Sequence, residues 1–212
     1  MGSLEYASQA VRHLRKRDPA LWPILEKIGP FALRLETGRF SALVSAIIAQ
    51  QLSYKAADTI ERRLRARVGS RRLTPAALLA VPERELRTAG LSRGKTAYLR
   101  DLADKVHTGS LPLRHLHRAE DEAVIAHLTQ IRGIGRWTAE MFLIFSLGRP
   151  DVLPVDDLGL RAALQRLDRL PQLPAKAEVL ARGAIWQPFR TVATWYLWQS
   201  LRQQLSLNEL EV

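Results

Sequence analysis

Apolar residues in this chain recur every three to four positions, and no stretch sustains alternation with polar ones. From Phe40 they fall at Phe40, Leu43, Val44, Ile47 and Ile48, the i, i+3, i+4, i+7, i+8 spacing that lines one face of an α-helix. Strands half buried in a sheet would need a period of two. The pattern therefore predicts an all-α fold with few or no strands, built from roughly ten or more short helices. Local punctuation agrees. Ser53 can cap a helix from Tyr54 to about Val68, with Ala56, Ala57, Ile60 and Leu64 as its stripe and Gly69-Ser70 as its end. Thr74-Pro75 opens a short helix through Leu79 in the cap-then-proline order. Pro82 opens another over 83–89, which Gly90 stops. Further helices are predicted over 94–106, closed at Thr108-Gly109, and from Asp121, with Val124, Ile125 and Leu128 on one face. The next runs over 137–147 with Trp137, Met141, Phe142 and Phe145 inward. Three more cover Asp156/Asp157 to Leu167, 175–181 and 188–205. No low-complexity linker divides the chain, so two lobes, if formed, must share a tight cleft.

Composition narrows the partners. With 212 residues the chain can fill one large domain or two intimate lobes. Its 32 Lys and Arg outnumber 21 Asp and Glu, a net charge of +11 with histidine neutral, which makes a polyanion the first partner to test. There is no cysteine. That excludes a disulfide scaffold, a cysteine-ligated iron–sulfur cluster, a cysteine-type zinc site and a thiol nucleophile. No apolar run is long enough for a transmembrane helix, and Met1 to Asp18 lacks the order of a secretion signal. An intracellular, cytoplasmic protein is expected. His13, His107, His115, His117 and His127 show no metal-ligand spacing, and no P-loop or serine-nucleophile constellation occurs.

Two local signals carry chemistry. In Leu128-Thr-Gln-Ile131-Arg-Gly133-Ile134-Gly135-Arg136-Trp137-Thr138-Ala139, a helix, a glycine-bearing turn and a second helix succeed one another. Two glycines two apart allow a tight hairpin and leave main-chain N–H groups at a helix start, where the dipole favours a phosphate oxygen. Ile131 and Ile134 would anchor the turn in the core. An ordinary helical hairpin would use the same glycines for geometry alone. In Pro154-Val155-Asp156-Asp157-Leu158-Gly159-Leu160-Arg161, two carboxylates stand at a helix start. There Asp is also a favoured N-cap and first-turn residue without any further role.

The hairpin, followed some twenty residues later by that Asp, resembles the helix-hairpin-helix superfamily of DNA base-excision glycosylases. The chain is most similar to its alkylpurine branch, the DNA-3-methyladenine glycosylase II type. The matching pieces are Ala46-Ile-Ile-Ala-Gln50-Gln51-Leu-Ser53, Ala89-Gly-Leu-Ser92-Arg-Gly-Lys95, the hairpin itself, and Asp151-Val-Leu-Pro154-Val-Asp-Asp157-Leu. They lie in order across residues 35 to 200 or so. The resemblance implies a two-lobed helical fold with a DNA-binding cleft. Residues 39–149 would form a helical barrel ending in the hairpin, and 1–38 plus 150–212 a second lobe carrying the catalytic Asp. Longer relatives carry an N-terminal β-rich domain; with some 38 residues before the matched region, that domain is expected to be missing here.

Carried over by position, the catalytic carboxylate falls on Asp157, with Asp156 as its rival. Asp157 keeps Leu160 and Leu164 in register for the core. The resemblance places a backbone phosphate on Gly133 and Gly135, with Arg132, Arg136, Arg93 and Lys95 as basic neighbours. It implies a monovalent cation, Na+ or K+, on the main-chain carbonyls of Thr129, Ile131 and Ile134, and no catalytic cofactor. Gln50-Gln51 matches the segment that plugs the gap left by a flipped nucleotide; a solvated turn is the plain alternative. Trp137 stands where lyase-competent relatives carry a lysine, and tryptophan cannot attack the sugar as an amine. A monofunctional, water-using glycosylase follows. Trp137 and Trp198 would line the base pocket, where an electron-rich ring suits a base made cationic by alkylation. Trp186, Trp195 and Tyr196 are reserve candidates, and Trp22 is assigned to the core. The run Arg62, Arg63, Arg65, Arg67, Arg71, Arg72 adds positive field near the plug, although Glu61 can pair with Arg65. The expected substrate is double-stranded DNA carrying a damaged base, acted on by a monomer that excises 3-methyladenine- or 7-methylguanine-type lesions. The alternatives are a glycosylase for hypoxanthine, ethenoadenine or an oxidised purine, a non-catalytic DNA-binding module, and a helical scaffold with no DNA role.

Overall fold

The computed structural model describes residues 4–69 and 72–203. Among the described residues all regular structure is helical: α1 Ala7–Arg17, α2 Trp22–Ile28, α3 Arg39–Ala49, α4 Tyr54–Val68, α5 Pro75–Ala80, α6 Glu83–Thr88, α7 Arg93–His107, α8 Asp121–Thr129, α9 Arg136–Phe145, α10 Leu158–Leu167, α11 Lys176–Gly183 and α12 Arg190–Arg202. Short 3₁₀ turns lie at Pro19–Leu21, Leu116–Arg118 and Ala184–Trp186. Ser70, Arg71 and the tail of the helix predicted to reach residue 205 lie outside the described residues.

Three predicted caps act as caps, and Ser92, which the patterning did not single out, joins them. The side chains of Ser53, Thr74, Asp157 and Ser92 accept hydrogen bonds from the main-chain N–H of Ala56, Ala77, Leu160 and Lys95, each three residues on. These bonds satisfy donors that a helix start cannot pair internally. Gly69, at φ +64°, ends α4 in the left-handed region. The last three predicted helices begin later than expected. The Asp156/Asp157 pair stays outside α10, because the Asp157 side chain caps that helix from without.

The chain divides into two compact units, Glu36–Phe142 and the pair of segments Met1–Leu35 and Leu143–Val212. In the first unit α7 is the central strut, packed by α3, α5 and α6, while α3 also lies on α4. Phe40, Leu43, Val44, Ile47 and Ile48 of α3 are all buried, as are Leu99, Leu102 and Ala103 of α7 and Val124, Ile125 and Leu128 of α8. The α4 stripe is shallower than its spacing suggests: only Leu64 is fully buried, and Ala56, Ala57 and Ile60 are half-buried.

In the second unit α12 lies against α10, α2 and α1. Two helices in the first 28 residues and the 3₁₀ turn between them, which the patterning left unassigned, supply Ala10, Leu14, Leu21, Ile24 and Leu25 to this core. α1 is in fact amphipathic, with Ala10 and Leu14 four residues apart on its buried face and Arg and Lys crowding its last turn, so its helical pattern was there to be read. At the centre Trp186, fully buried, donates its indole N–H to Asp18 Oδ2 at 2.7 Å. Arg182 makes an ion pair with the same oxygen at 2.7 Å, and its Nε donates to Asp168 at 2.9 Å. The burial of Asp18 is thereby compensated.

Candidate functional site

The hairpin between α8 and α9 is closed by its own main chain: Ile131 N–H donates to Leu128 O and Ile134 N–H to Ile131 O, both at 3.1 Å. Ile131 and Ile134 are buried and Arg132, Gly133, Gly135 and Arg136 are exposed. The turn is thus anchored by two apolar side chains and presents its polar backbone outward. Gly133 is required twice over. Its φ is +81°, and a Cβ there would lie 2.2 Å from Tyr98 Cδ2. Gly135 has no such neighbour; a Cβ there would meet open space. α9 opens at Arg136, so the positive end of that helix lies at the turn.

Acidic side chains brace the hairpin from both sides. Asp101 of α7 accepts the Arg132 N–H at 2.9 Å and pairs with Lys105. Burial opposes the charged Asp101 carboxylate, but hydrogen bonds from Lys105 and the Arg132 N–H, together with their charges, outweigh it and lower its pKa. Arg136 is held by Glu122 of α8 and, at 3.1 Å, by the buried Glu140 of α9. The Arg136 bond lowers the Glu122 pKa. The Arg136 guanidinium therefore reaches the hairpin surface already partly neutralised. Arg132 and Arg93 are exposed.

The turn between α3 and α4 sits beside this hairpin. Gln50 caps α3, and its side-chain Nε2 donates to Gly133 O at 2.7 Å. Gln51 is exposed and holds φ +57°, a left-handed conformation that a non-glycine residue adopts at a cost. Leu52, next in sequence, is exposed to 40%. Lys95 of α7 is half-buried and directs its ammonium to two carbonyls at the end of α3, Ile48 O at 2.7 Å and Gln50 O at 2.6 Å. Burial lowers its pKa. On α4, Arg62 pairs with Asp58 and Arg65 with Glu61, so part of that basic run is locally compensated; Arg71 lies outside the described residues.

Asp157 belongs to the second unit. Only 9% exposed, it caps α10 by accepting the Leu160 N–H on Oδ1 at 2.6 Å, and the same oxygen accepts Trp198 Nε1–H at 2.8 Å. A Cβ on Gly159 would lie 3.1 Å from that oxygen, so glycine there gives the carboxylate room. Asp156 points elsewhere: its side chain is part-exposed and pairs with Lys176. Adjacent carboxylates thus occupy two environments, one buried and fixed, one at the surface.

The tryptophans separate likewise. Trp137, expected to face inward, is 43% exposed at the first turn of α9. The inward face of α9 falls instead on Thr138, Ala139, Phe142, Leu143 and Ile144, with Met141 and Phe145 half-buried. Trp198 is half-buried and stacks on Phe145, centroids 5.8 Å apart. The reserve candidates are core residues. Trp186 is buried on Asp18, Trp195 packs edge-on to Phe31, and the Tyr196 hydroxyl donates to Gly29 O. Trp22 lies at the edge of the core rather than in it, with the Arg15 guanidinium 3.7 Å from its ring centre. Among the described residues no group of three or more His, Asp or Glu could hold a metal ion. The patterning missed the bracing residues Asp101, Glu122 and Glu140 and the backing ring Tyr98. Nothing local distinguishes them from surface residues of amphipathic helices.

The chain is similar to known proteins over most of its length. A family described as HhH-GPD superfamily base excision DNA repair protein matches residues 44–188. The chain is 40% identical over 163 residues to DNA-3-methyladenine glycosylase 1 of Schizosaccharomyces pombe, a span of 76% of this chain and 72% of that protein. A crystal structure of DNA-3-methyladenine glycosidase from Bacillus halodurans superposes with a TM-score of 0.88 at 38% identity over 99% of both chains. The Schizosaccharomyces pombe 3-methyladenine DNA glycosylase in complex with abasic DNA gives a TM-score of 0.82 at 35% identity, over 92% of this chain and 97% of that one.

Proposed function

Since the chain belongs to the HhH-GPD superfamily of base excision DNA repair proteins, in its alkylpurine glycosylase branch, we propose that it is a monofunctional DNA glycosylase that extrudes an alkylated purine from duplex DNA and hydrolyses its glycosidic bond. The observation that carries this reading is the state of Asp157. It is buried, it stands where the resemblance implies the catalytic carboxylate, and one carboxylate oxygen is fixed by two donors, the Leu160 N–H and the Trp198 indole. A charge held in one orientation needs little reorganisation as a cationic sugar develops beside it.

Extruding the nucleotide costs a few kcal/mol, on the order of the stacking and pairing lost. Gln51 is the residue we assign to the vacated space, because it is exposed on a left-handed turn while the Gln50 amide is engaged by the hairpin. Gly133, Gly135 and the exposed Arg132 grip a phosphate at the positive end of α9, with Arg93 as a further contact. The neutral carbonyls of Thr129, Ile131 and Ile134 are hard oxygen donors of the kind a Na+ or K+ ion takes; bound there, it would add positive charge beside that phosphate. The exposed ring of Trp137 offers a face to the base, worth about 0.5–2 kcal/mol if the base is cationic. The C1′–N bond breaks with its electron pair leaving on the base, which alkylation has made a good leaving group. Asp157 stabilises the resulting oxocarbenium-like sugar and orients the water that bonds to C1′, whose proton is lost to the carboxylate or to solvent. With Trp137 in place of an amine, no Schiff base forms on the sugar.

The test is a panel of duplexes carrying 3-methyladenine, 7-methylguanine, ethenoadenine, hypoxanthine and 8-oxoguanine, scored for abasic-site release and for borohydride-trapped enzyme. Release from the methylated purines without trapping is expected. Activity confined to 8-oxoguanine, or any trapped adduct, overturns the reading.

A further inference from the structure

Three residues spaced by three on α7, Lys95, Tyr98 and Asp101, each hold a different part of the candidate DNA surface. Lys95 seizes the end of α3 through Ile48 O and Gln50 O at 2.7 and 2.6 Å. Tyr98 fills the space where Gly133 would carry a side chain. Asp101 accepts the Arg132 N–H. Gln50 closes the circuit, since its main-chain carbonyl is held by Lys95 and its side-chain amide donates to Gly133 O at 2.7 Å. The turn bearing Gln51 and the hairpin are therefore tied to one another directly and both tied to one helix.

We infer that Lys95 and Gln50 are positioning residues which fasten the wedge turn to the phosphate-gripping hairpin, so that gripping the strand and filling the gap left by the base are done by one rigid body. Lys95 is then not a phosphate contact. Its ammonium is directed inward at two carbonyls, where a cation also suits the negative end of α3. Held this way, Gln51 keeps its left-handed turn at a fixed distance from the gripped phosphate. Were the turn free to relax, insertion would become a second, separately ordered step.

The inference rests on the glycosylase reading for its kinetic consequence, and the experiment separates the two. Lys95→Met keeps the aliphatic stem and removes the ammonium, Lys95→Arg restores donors, and Gln50→Ala removes the latch amide. For each, three quantities are measured on full-length protein: hydrogen exchange of the 50–52 and 131–135 amides, single-turnover excision with 2-aminopurine beside the lesion, and the salt dependence of affinity for undamaged duplex. Lys95→Met is expected to raise exchange in both segments together. It should lower the excision rate roughly 10- to 100-fold with a matching loss of 2-aminopurine signal, and leave the log K–log[salt] slope unchanged. Lys95→Arg should recover part of the rate, and Lys95→Met/Gln50→Ala should be no slower than the slower single variant. A slope reduced by about 1 with normal excision of bound duplex makes Lys95 a phosphate ligand and overturns the inference. So does looser exchange at 50–52 with an unchanged hairpin. If the wild-type protein excises none of the bases, the glycosylase reading fails, and the exchange result still decides whether the two segments are fastened together.

Discussion

Single atoms set the tolerances of the hairpin. A Cβ on Gly133 would force a left-handed backbone costing about 1–2 kcal/mol and displace the Tyr98 ring, at about 1–3 kcal/mol more. Gly133→Ala is therefore expected to lower the urea midpoint and to impair DNA binding together. Gly135→Ala should leave the midpoint unchanged, since nothing lies within 4 Å of the added methyl, while weakening affinity for duplex. Equal stability loss in the two variants would contradict this geometry. At Asp157 the cap and the chemistry can be separated. Asn is as good an N-cap as Asp, whereas Ala loses about 0.5–2 kcal/mol of helix stability. Asp157→Asn should retain the melting temperature and damaged-duplex affinity yet lose about 10²–10⁴-fold in excision rate. Asp156→Asn, which breaks only a surface contact with Lys176, should cost little in either. Reversal of these two results would place the catalytic carboxylate on Asp156. The preference for Asp157 was legible in the sequence from the register of Leu160 and Leu164; its second donor, Trp198, forty-one residues away, was not.

At the level of elements, α7 and the hairpin share a titratable joint. The Asp101 pKa is lowered in the folded protein, so its contribution to stability is complete above the ordinary aspartate value and is lost as pH falls through the folded one. The difference in unfolding free energy between wild type and Asp101→Asn should accordingly be constant near neutrality and shrink on acidification below about pH 4. A gap that widens in acid would refute the joint. Glu122 titrates in the same sense, since its bond to Arg136 lowers its pKa, and should add to early acid loosening of the α8–α9 hairpin. The helices that carry these groups could be read from capping residues and stripes, because caps act over three residues and stripes over a turn or two. The face that α9 turns inward could not. Trp137 was expected inside with Phe142, yet it lies at the first turn, where the helix emerges from the hairpin and its side chain reaches solvent.

Across the whole molecule, the surplus of eleven positive charges is unevenly available. Arg136, Arg62 and Arg65 are paired with carboxylates, whereas Arg132 is exposed at the hairpin. Arg132→Ala should lower the slope of log affinity against log salt by about 1; an unchanged slope would remove Arg132 from the phosphate grip. In the second unit, Trp186→Phe would strip a hydrogen bond from Asp18, which is only 2% exposed. A loss of about 1–3 kcal/mol in urea unfolding is expected, with the salt slope of DNA binding intact. Helical class, capped ends, the glycine hairpin and the acidic helix start were all legible in the sequence alone, because each rests on interactions between residues a few positions apart. Absence of cysteine likewise removed whole chemistries without reference to shape. The choice among chemically equivalent side chains came only with the fold. Lys95 meets carbonyls 45 and 47 residues away, Gln50 meets one 83 residues away, and Trp186 meets Asp18 across 168. Whether a lysine faces a phosphate or a helix end, and whether a tryptophan lines a pocket or fills a core, depends on what packing brings beside it, and no local rule encodes contacts at such separations.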